Sequence, residues 1–206
     1  MRGTLIGSLV VAGCLASGLL VRADDGGGKT YQTKNMFRPG VGTLLQSGAT
    51  LVRSRHGLDL RIAASHLDPN AAYTMWWVVF NNPAACGAGC GPASLGVPAV
   101  RASVFYAAGF VTGDDGTAII TAHTDDGRLP VGVEVTTDGT VAGLDKGNGF
   151  GAEVHLVVRA HGAIIAGMVD KQIGSFNGAC PPNVCMNEQA AIFPPVAPPN
   201  PDKDDD

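Results

Sequence analysis

The sequence contains few charged residues and no cluster of lysine and arginine. Asp, Glu, Lys and Arg together make up 16% of the 206 residues, and the formal net charge is −4. Proteins that bind nucleic acids or anionic membranes concentrate basic residues on one face. The sequence therefore predicts no nucleic-acid partner and no attachment to an anionic membrane surface.

Short catalytic motifs are absent as well. The chain has no G-x-S-x-G elbow, no H-E-x-x-H pair and no phosphate-binding loop. We therefore expect a protein that is not an enzyme. A secreted hydrolase stays open as an alternative, because catalytic groups need only meet in space. Its candidate carboxylates are Glu134 and Glu153, each paired with an aspartate as in glycosidases.

No long segment with a helical 3.6-residue periodicity follows the N-terminal region. Glycine and proline are instead frequent, with 29 and 13 residues, as in chains whose short strands are joined by many turns. These features predict an all-β fold. We expect an antiparallel, immunoglobulin-like β-sandwich with about seven to nine strands.

The densest apolar run after the N-terminal region predicts the central strand. Residues 73–80 are rich in aromatic and β-branched side chains, which favour strands. Both alternating faces are apolar, so we expect both to be covered. Trp76 and Trp77 fall on opposite faces. Core packing with at least one of them partly exposed is the simpler interpretation, and an aromatic ligand platform is the alternative.

The remaining strands are predicted from alternating apolar residues and turn signals. Two hairpins and two single strands result: 49–55 with 58–64, 103–112 with 117–124, then 153–160 and 189–193. A weaker strand and a loop are expected within residues 131–151. Together these segments define a β-sandwich domain at 49–193, preceded by a flexible N-terminal segment at 24–48. Residues 194–206 have the composition of a disordered, proline-rich acidic tail.

Residues 1–23 are typical of a signal peptide. Arg2 gives the positive end, and an apolar core leads to the small-residue cleavage site Val21-Arg22-Ala23. A secreted or periplasmic protein is predicted, with no transmembrane span once the signal is removed. In the alternative, Val11-Ala12-Gly13-Cys14 is a lipobox, and Cys14 carries the lipid anchor of a lipoprotein at the cell envelope.

Four cysteines remain beyond the predicted signal: Cys86, Cys90, Cys180 and Cys185. In an exported protein they suggest two disulfides, which can pair in three ways. We expect the local pairs Cys86–Cys90 and Cys180–Cys185, each fixing the shape of a loop. A zinc site of four cysteines is the alternative, because the spacings alone do not exclude it.

Histidines offer a second candidate metal site. A copper or zinc site on a β-sandwich would need His123 beside His155 on neighbouring strands, with His66 as a third ligand. Surface or hydrogen-bonded histidines are the simpler interpretation. We therefore expect no cofactor, with copper or zinc as the alternative.

Part of the sequence resembles known families. The stretch AYTMWWVVFNNPAAC, followed by ASVFYAAGFVTG and AEVHLVVRAHG, resembles a family of exported bacterial proteins of unknown function. The match spans residues 58–185, and it implies export and β architecture but no activity. A looser similarity is to chordin-type (CHRD) β domains, which share the hairpin-rich pattern and a late strand with a histidine. The sandwich would then be CHRD-like, although Trp76 and Trp77 stand where that domain has paired histidines.

The sequence therefore predicts an exported, non-enzymatic β-sandwich that binds a small ligand or an unknown protein. Trp76 and Trp77 are its candidate binding residues, beside the loop that Cys86 and Cys90 close. The alternatives are a metal-binding or redox protein that uses the histidines, and a secreted hydrolase.

Overall fold

The computed structural model describes residues 28–42, 44–136 and 143–200. The predicted all-β antiparallel fold is confirmed, with nine strands in the described part. These are β1 Thr30–Phe37, β2 Leu44–Ser54, β3 Gly57–Ala64, β4 Ala71–Phe80, β5 Ala102–Val111, β6 Ala118–Asp125, β7 Val133–Thr136, β8 Glu153–Ala163 and β9 Met186–Phe193.

The nine strands form one hydrogen-bonded sheet in the order β6-β3-β2-β1-β9-β8-β4-β5-β7. Strands β5 and β6 also lie against each other, although they are not hydrogen-bonded neighbours, because the sheet curls. The curl encloses one main core, to which most of the strands contribute. The predicted hairpin of 49–55 with 58–64 is confirmed as β2–β3. The predicted hairpin of 103–112 with 117–124 is wrong, because β5 pairs with β4 and β7 while β6 pairs with β3. These two strands share the core without hydrogen-bonding to each other.

Strand β4 has two apolar faces with different surroundings. Tyr73, Met75, Trp77 and Val79 point into the main core, as alternation along the strand predicts. The other face is turned outward, and Trp76 and Phe80 on it are nevertheless almost fully buried. Additional segments must therefore cover this outer face.

Two segments provide that cover. The first runs from β4 to β5 through three short 3₁₀ helices, Pro83–Cys86, Pro92–Gly96 and Pro98–Val100, and it packs on Phe80. The second runs from β8 to β9 through one short helix, α1 Val169–Gly174. This helix is fixed to β5, because Tyr106 Oη donates a 2.9 Å hydrogen bond to the Ile173 carbonyl oxygen. The two segments are called the first and second cover below.

Both predicted disulfides are confirmed: Cys86–Cys90 lies in the first cover and Cys180–Cys185 in the second. The four cysteines therefore do not form one zinc site. Within the part of the chain described, no helix is long and apolar enough to cross a membrane. The predicted signal peptide and the lipobox at Cys14 lie outside the described residues.

Two predicted domain boundaries are wrong. The segment expected to be flexible, 24–48, contains β1 and the start of β2, and β1 occupies the middle of the sheet between β2 and β9. At the other end, the tail does not leave the domain at Pro194. Gln32 Nε2 donates to the Pro194 carbonyl oxygen, and Val196 N donates to that of Phe150, both at 3.0 Å. Residues 201–206 lie outside the described part.

Candidate functional site

An apolar groove crosses the outer face of the sheet. Its floor is a row of side chains that strand register places side by side: Val135 opposite Val104, Val104 opposite Val78, and Val78 opposite His155. The groove has a volume of about 270 Å³. Pockets for small organic molecules begin at roughly 300 Å³, so the groove matches a ligand at the small end of that class.

The two covers form the walls of the groove. On one side of Val78, the first cover contributes Gly91, Pro92 and Leu95, and Leu95 packs on the small cluster that contains Phe80. The other side of Val78 is bounded by Trp76 and the second cover. A gap between two covers that each pack on the same strand leaves the floor open to a ligand.

The Trp76 wall is held by several directed contacts. The indole Nε1 donates a 2.7 Å hydrogen bond to Thr74 Oγ1, which itself lies 2.8 Å from His161 Nε2. Phe176 of the second cover meets the indole edge-on at 5.0 Å between ring centroids. The Arg159 guanidinium lies 4.2 Å over the Phe176 ring, a cation–π contact. These contacts fix the shape of the wall before any ligand arrives.

His155 is the main polar group of the floor. Its Nε2 lies 2.7 Å from Glu153 Oε1, and its ring meets Phe80 at 4.9 Å between centroids. Burial lowers the pKa of His155, and the hydrogen bond and charge of Glu153 oppose this only in part. The imidazole is therefore neutral near pH 7, with its Nε2–H donating to the carboxylate.

The groove has a mainly apolar lining with two ionisable side chains, Glu134 and His155. Its lining residues within the described chain include no serine, threonine, cysteine or lysine that could serve as a nucleophile. Both carboxylates proposed from the sequence are nearby: Glu134 lines the groove, and Glu153 holds His155. Most of the other lining side chains are aliphatic or aromatic. This chemistry suits a small, largely apolar ligand with one hydrogen-bonding group.

The tryptophans differ from the prediction in their exposure. Trp76 is 1% and Trp77 is 0% exposed, so the expectation that at least one is partly exposed is wrong. The reason is that both faces of β4 are covered. Trp76 still lines the groove, whereas Trp77 lies in the main core and its Nε1 has no partner there.

The three predicted metal-binding histidines are not brought together. His123 is on β6 and His155 on β8, which are not neighbouring strands. Each of the three has its own local partner: Asp59 and Asp125 for His123, Glu153 for His155, and Ser65 for His66. Among the described residues, the group of three that could hold a metal is His161 with Cys180 and Cys185.

Sequence reasoning missed most of the groove. The apolar outer face of β4 and the position of His155 between the core residues Val154 and Leu156 were available signals. The pairing of Val78 with Val104 and His155 depends on register between distant segments. The contact of the Phe176 ring with Trp76 depends on the path of the second cover. Neither can be read from local alternation.

Comparisons with protein-family models, curated proteins and solved structures give no match for this chain. The resemblances drawn from the sequence are therefore still predictions.

Proposed function

We propose that this protein binds a small, uncharged, largely apolar ligand in the groove, without catalysing a reaction. The observation that carries this proposal is the open apolar floor of about 270 Å³ between two covers. Each cover contains a short loop that a disulfide closes. Apolar lining with a few placed polar groups is the usual composition of small-molecule sites.

His155 supports a specific orientation of the ligand. With Nε2–H engaged by Glu153, the remaining ring nitrogen Nδ1 is an acceptor in the neutral imidazole. A hydroxyl or N–H group on the ligand would donate to it, while the rest of the ligand contacts Val78, Val104 and Trp76. A phenol or an aromatic amine has the required combination of groups.

We also infer that the protein works outside the cytoplasm, as a secreted or periplasmic protein. The two disulfides support this location, because disulfides persist in oxidising compartments. The predicted signal peptide at 1–23 supports it independently.

The test is binding of phenylnaphthylamine, a neutral aromatic amine that fluoresces in apolar sites. We expect saturable binding, with energy transfer from tryptophan because Trp76 lines the groove. Val78→Phe fills the floor and should weaken binding at least about tenfold, because the added ring takes the place of the probe.

The matched control is Ile119→Phe. Ile119 is 69% exposed on β6, and the same residue type is introduced outside the groove. It should leave the affinity unchanged. Equal affinity of the folded Val78→Phe variant and the wild type would overturn the proposal, with folding checked by circular dichroism.

A further inference from the structure

A second cluster of reactive side chains lies behind the groove, where β8 meets the second cover. His161 Nδ1 is 3.2 Å from Cys185 Sγ. One ligand atom from each of His161, Cys180 and Cys185 lies within 4.8 Å of the others. Around a single metal ion, sulfur and nitrogen ligands are about 3.5 to 4 Å apart, given metal–ligand bonds of about 2.0 to 2.3 Å. Once the disulfide opens, small side-chain rotations suffice to reach that arrangement.

The histidine of this cluster is fixed in place. His161 is fully buried, and its Nε2 lies 2.8 Å from Thr74 Oγ1. Its Nδ1 lies 3.0 Å from the Gly178 carbonyl oxygen. Because a carbonyl can only accept, Nδ1 carries the proton and Nε2 accepts from the Thr74 hydroxyl. Hydrogen-bond partners of this kind orient an imidazole for metal binding. The Cα atoms of Cys180 and Cys185 are 5.8 Å apart, so both sulfurs face the same point.

We propose that reduction of Cys180–Cys185 turns this cluster into a binding site for one thiophilic d¹⁰ cation, Cu⁺ or Zn²⁺. A dithiol reductant gives two electrons and two protons, the S–S bond breaks, two thiols form, and the reductant becomes a disulfide. On metal binding the two thiols release their protons and coordinate as thiolates. The His161 proton leaves Nδ1, where it bonds the Gly178 carbonyl oxygen, and moves to Nε2. The Nε2–H then donates a hydrogen bond to Thr74 Oγ1, and the Nδ1 lone pair binds the ion.

The ligand set determines the class of cation. Two thiolates and one imidazole are soft and borderline ligands, which select copper(I) and zinc over magnesium or calcium. The Gly178 carbonyl oxygen lies 3.7 Å from Cys180 Sγ and 4.0 Å from Cys185 Sγ. This oxygen is close enough to complete the four-coordinate shell that zinc prefers.

The chain contains its own matched control, the disulfide Cys86–Cys90. It closes a loop of similar length, with a sequence separation of 4 against 5. No third metal ligand accompanies it among the described residues. After reduction, the Cys86–Cys90 site therefore offers two thiols, whereas the Cys180–Cys185 site offers two thiols and a histidine.

The experiment measures metal per chain after anaerobic reduction with a dithiol and removal of the reductant. Zn²⁺ is titrated against a chromophoric chelator and Cu⁺ against bicinchoninate, which separates the two cations. The reduced wild type and the reduced C86S/C90S variant should each bind one ion. The oxidised wild type and the reduced C180S/C185S variant should bind none.

Removing a hydrogen-bond partner of a metal ligand typically weakens metal binding about 10–100-fold. His161→Gln removes the ligand itself, so it should weaken binding at least about tenfold. If this variant does not fold, X-ray absorption of the metal-loaded wild type replaces it and should show two sulfur ligands and a nitrogen ligand. The proposal is overturned if the reduced wild type binds neither ion, if C180S/C185S binds as well as C86S/C90S, or if absorption shows no nitrogen ligand.

Discussion

Arg53 is a fully buried charged residue whose hydrogen bonds link distant parts of the chain. It is 0% exposed, and its guanidinium donates to the carbonyl oxygens of Gly149, Ala152, Phe193 and Pro194 at 2.8 to 3.1 Å. Burial lowers its pKa to about 10, although the charge of Glu153 opposes the shift. Arg53 therefore remains charged at neutral pH and connects β2 to two distant segments.

Replacing Arg53 with methionine should lower the free energy of unfolding by about 3 kcal/mol or more. The side chain keeps its apolar stem, but the carbonyl oxygens of Gly149, Ala152 and Phe193 lose the guanidinium as a donor. The Pro194 carbonyl keeps the hydrogen bond from Gln32. Each unsatisfied group costs roughly 1–3 kcal/mol. Urea unfolding measures the change. Arg55→Met is the control, because Arg55 is exposed two residues away, and it should change stability by less than about 0.5 kcal/mol. Similar losses in the two variants would contradict this role for Arg53.

His155 and His123 should shape the pH dependence of stability in opposite directions. Burial lowers the pKa of His155, so its contribution is fully present above about pH 6.5 and is lost as the pH falls through the lowered value. For His123, partial burial lowers the pKa, but hydrogen bonds and charges from Asp125 and Asp59 outweigh it and raise the pKa. Its contribution is present below about pH 6.5 and is lost as the pH rises through the raised value.

Variants of His155 and His123 separate their opposite contributions to the pH dependence of stability. We expect the loss of stability between about pH 7.5 and about pH 5 to be shallower in His155→Gln than in the wild type. The same loss should be steeper in His123→Gln, by a small amount because the His123 side chain is 54% exposed. Urea midpoints at both pH values give the slopes. A steeper acid loss in His155→Gln would contradict the assignment of a neutral buried imidazole.

At the scale of elements, the strands that have a local pattern of alternation and turn residues were predicted from the sequence. Residues 73–80, the 49–64 hairpin and the strand from Glu153 were identified because alternation and turn residues act over a few positions. Strand β1 was missed because TYQTKNMF has only a weak apolar alternation. Its position depends on pairing with β2 and β9. The groove was missed for the same reason, since its floor and walls come from seven separate parts of the chain.

The attachment of the second cover to the sheet depends on a glycine in β5. A Cβ on Gly109 would lie 2.0 Å from the Ile173 carbonyl oxygen of α1, a distance that requires the helix to move. Gly109→Ala should therefore displace α1 and lower the free energy of unfolding by about 1–3 kcal/mol. It should also weaken phenylnaphthylamine binding, because Phe176 of the second cover packs on the Trp76 wall of the groove.

Gly48→Ala is the matched control for this change. Gly48 also lies in a strand, β2, but a Cβ there would meet nothing within 4 Å. Alanine is favoured over glycine inside a strand by roughly 0.5–1 kcal/mol, so stability should stay the same or rise slightly. Urea unfolding and probe binding of the two variants, measured together, check the prediction. Equal behaviour would show that α1 tolerates the added methyl group.

At the scale of the whole molecule, β1 joins two halves of the sheet. Strands β6, β3 and β2 lie on one side of it, and β9, β8, β4, β5 and β7 on the other. Met36 of β1 is 0% exposed in the main core, and Gln32 bonds both Arg53 and the Pro194 carbonyl. Because one core spans both halves, we expect the described domain to unfold as a single cooperative unit.

This arrangement predicts the effect of two truncations. A chain that starts at Arg38 lacks β1, so β2 loses one of its two hydrogen-bonded neighbours and the core loses Met36. Such a chain should show no cooperative urea transition. A chain that starts at Gly28 keeps every contact described above and should unfold in one transition, with a slope in proportion to the surface exposed. Circular dichroism across the urea range distinguishes the two. A single steep transition in the chain from Arg38 would mean that the two halves hold together without β1, through the shared core and the bonds of Arg53 to Phe193 and Pro194.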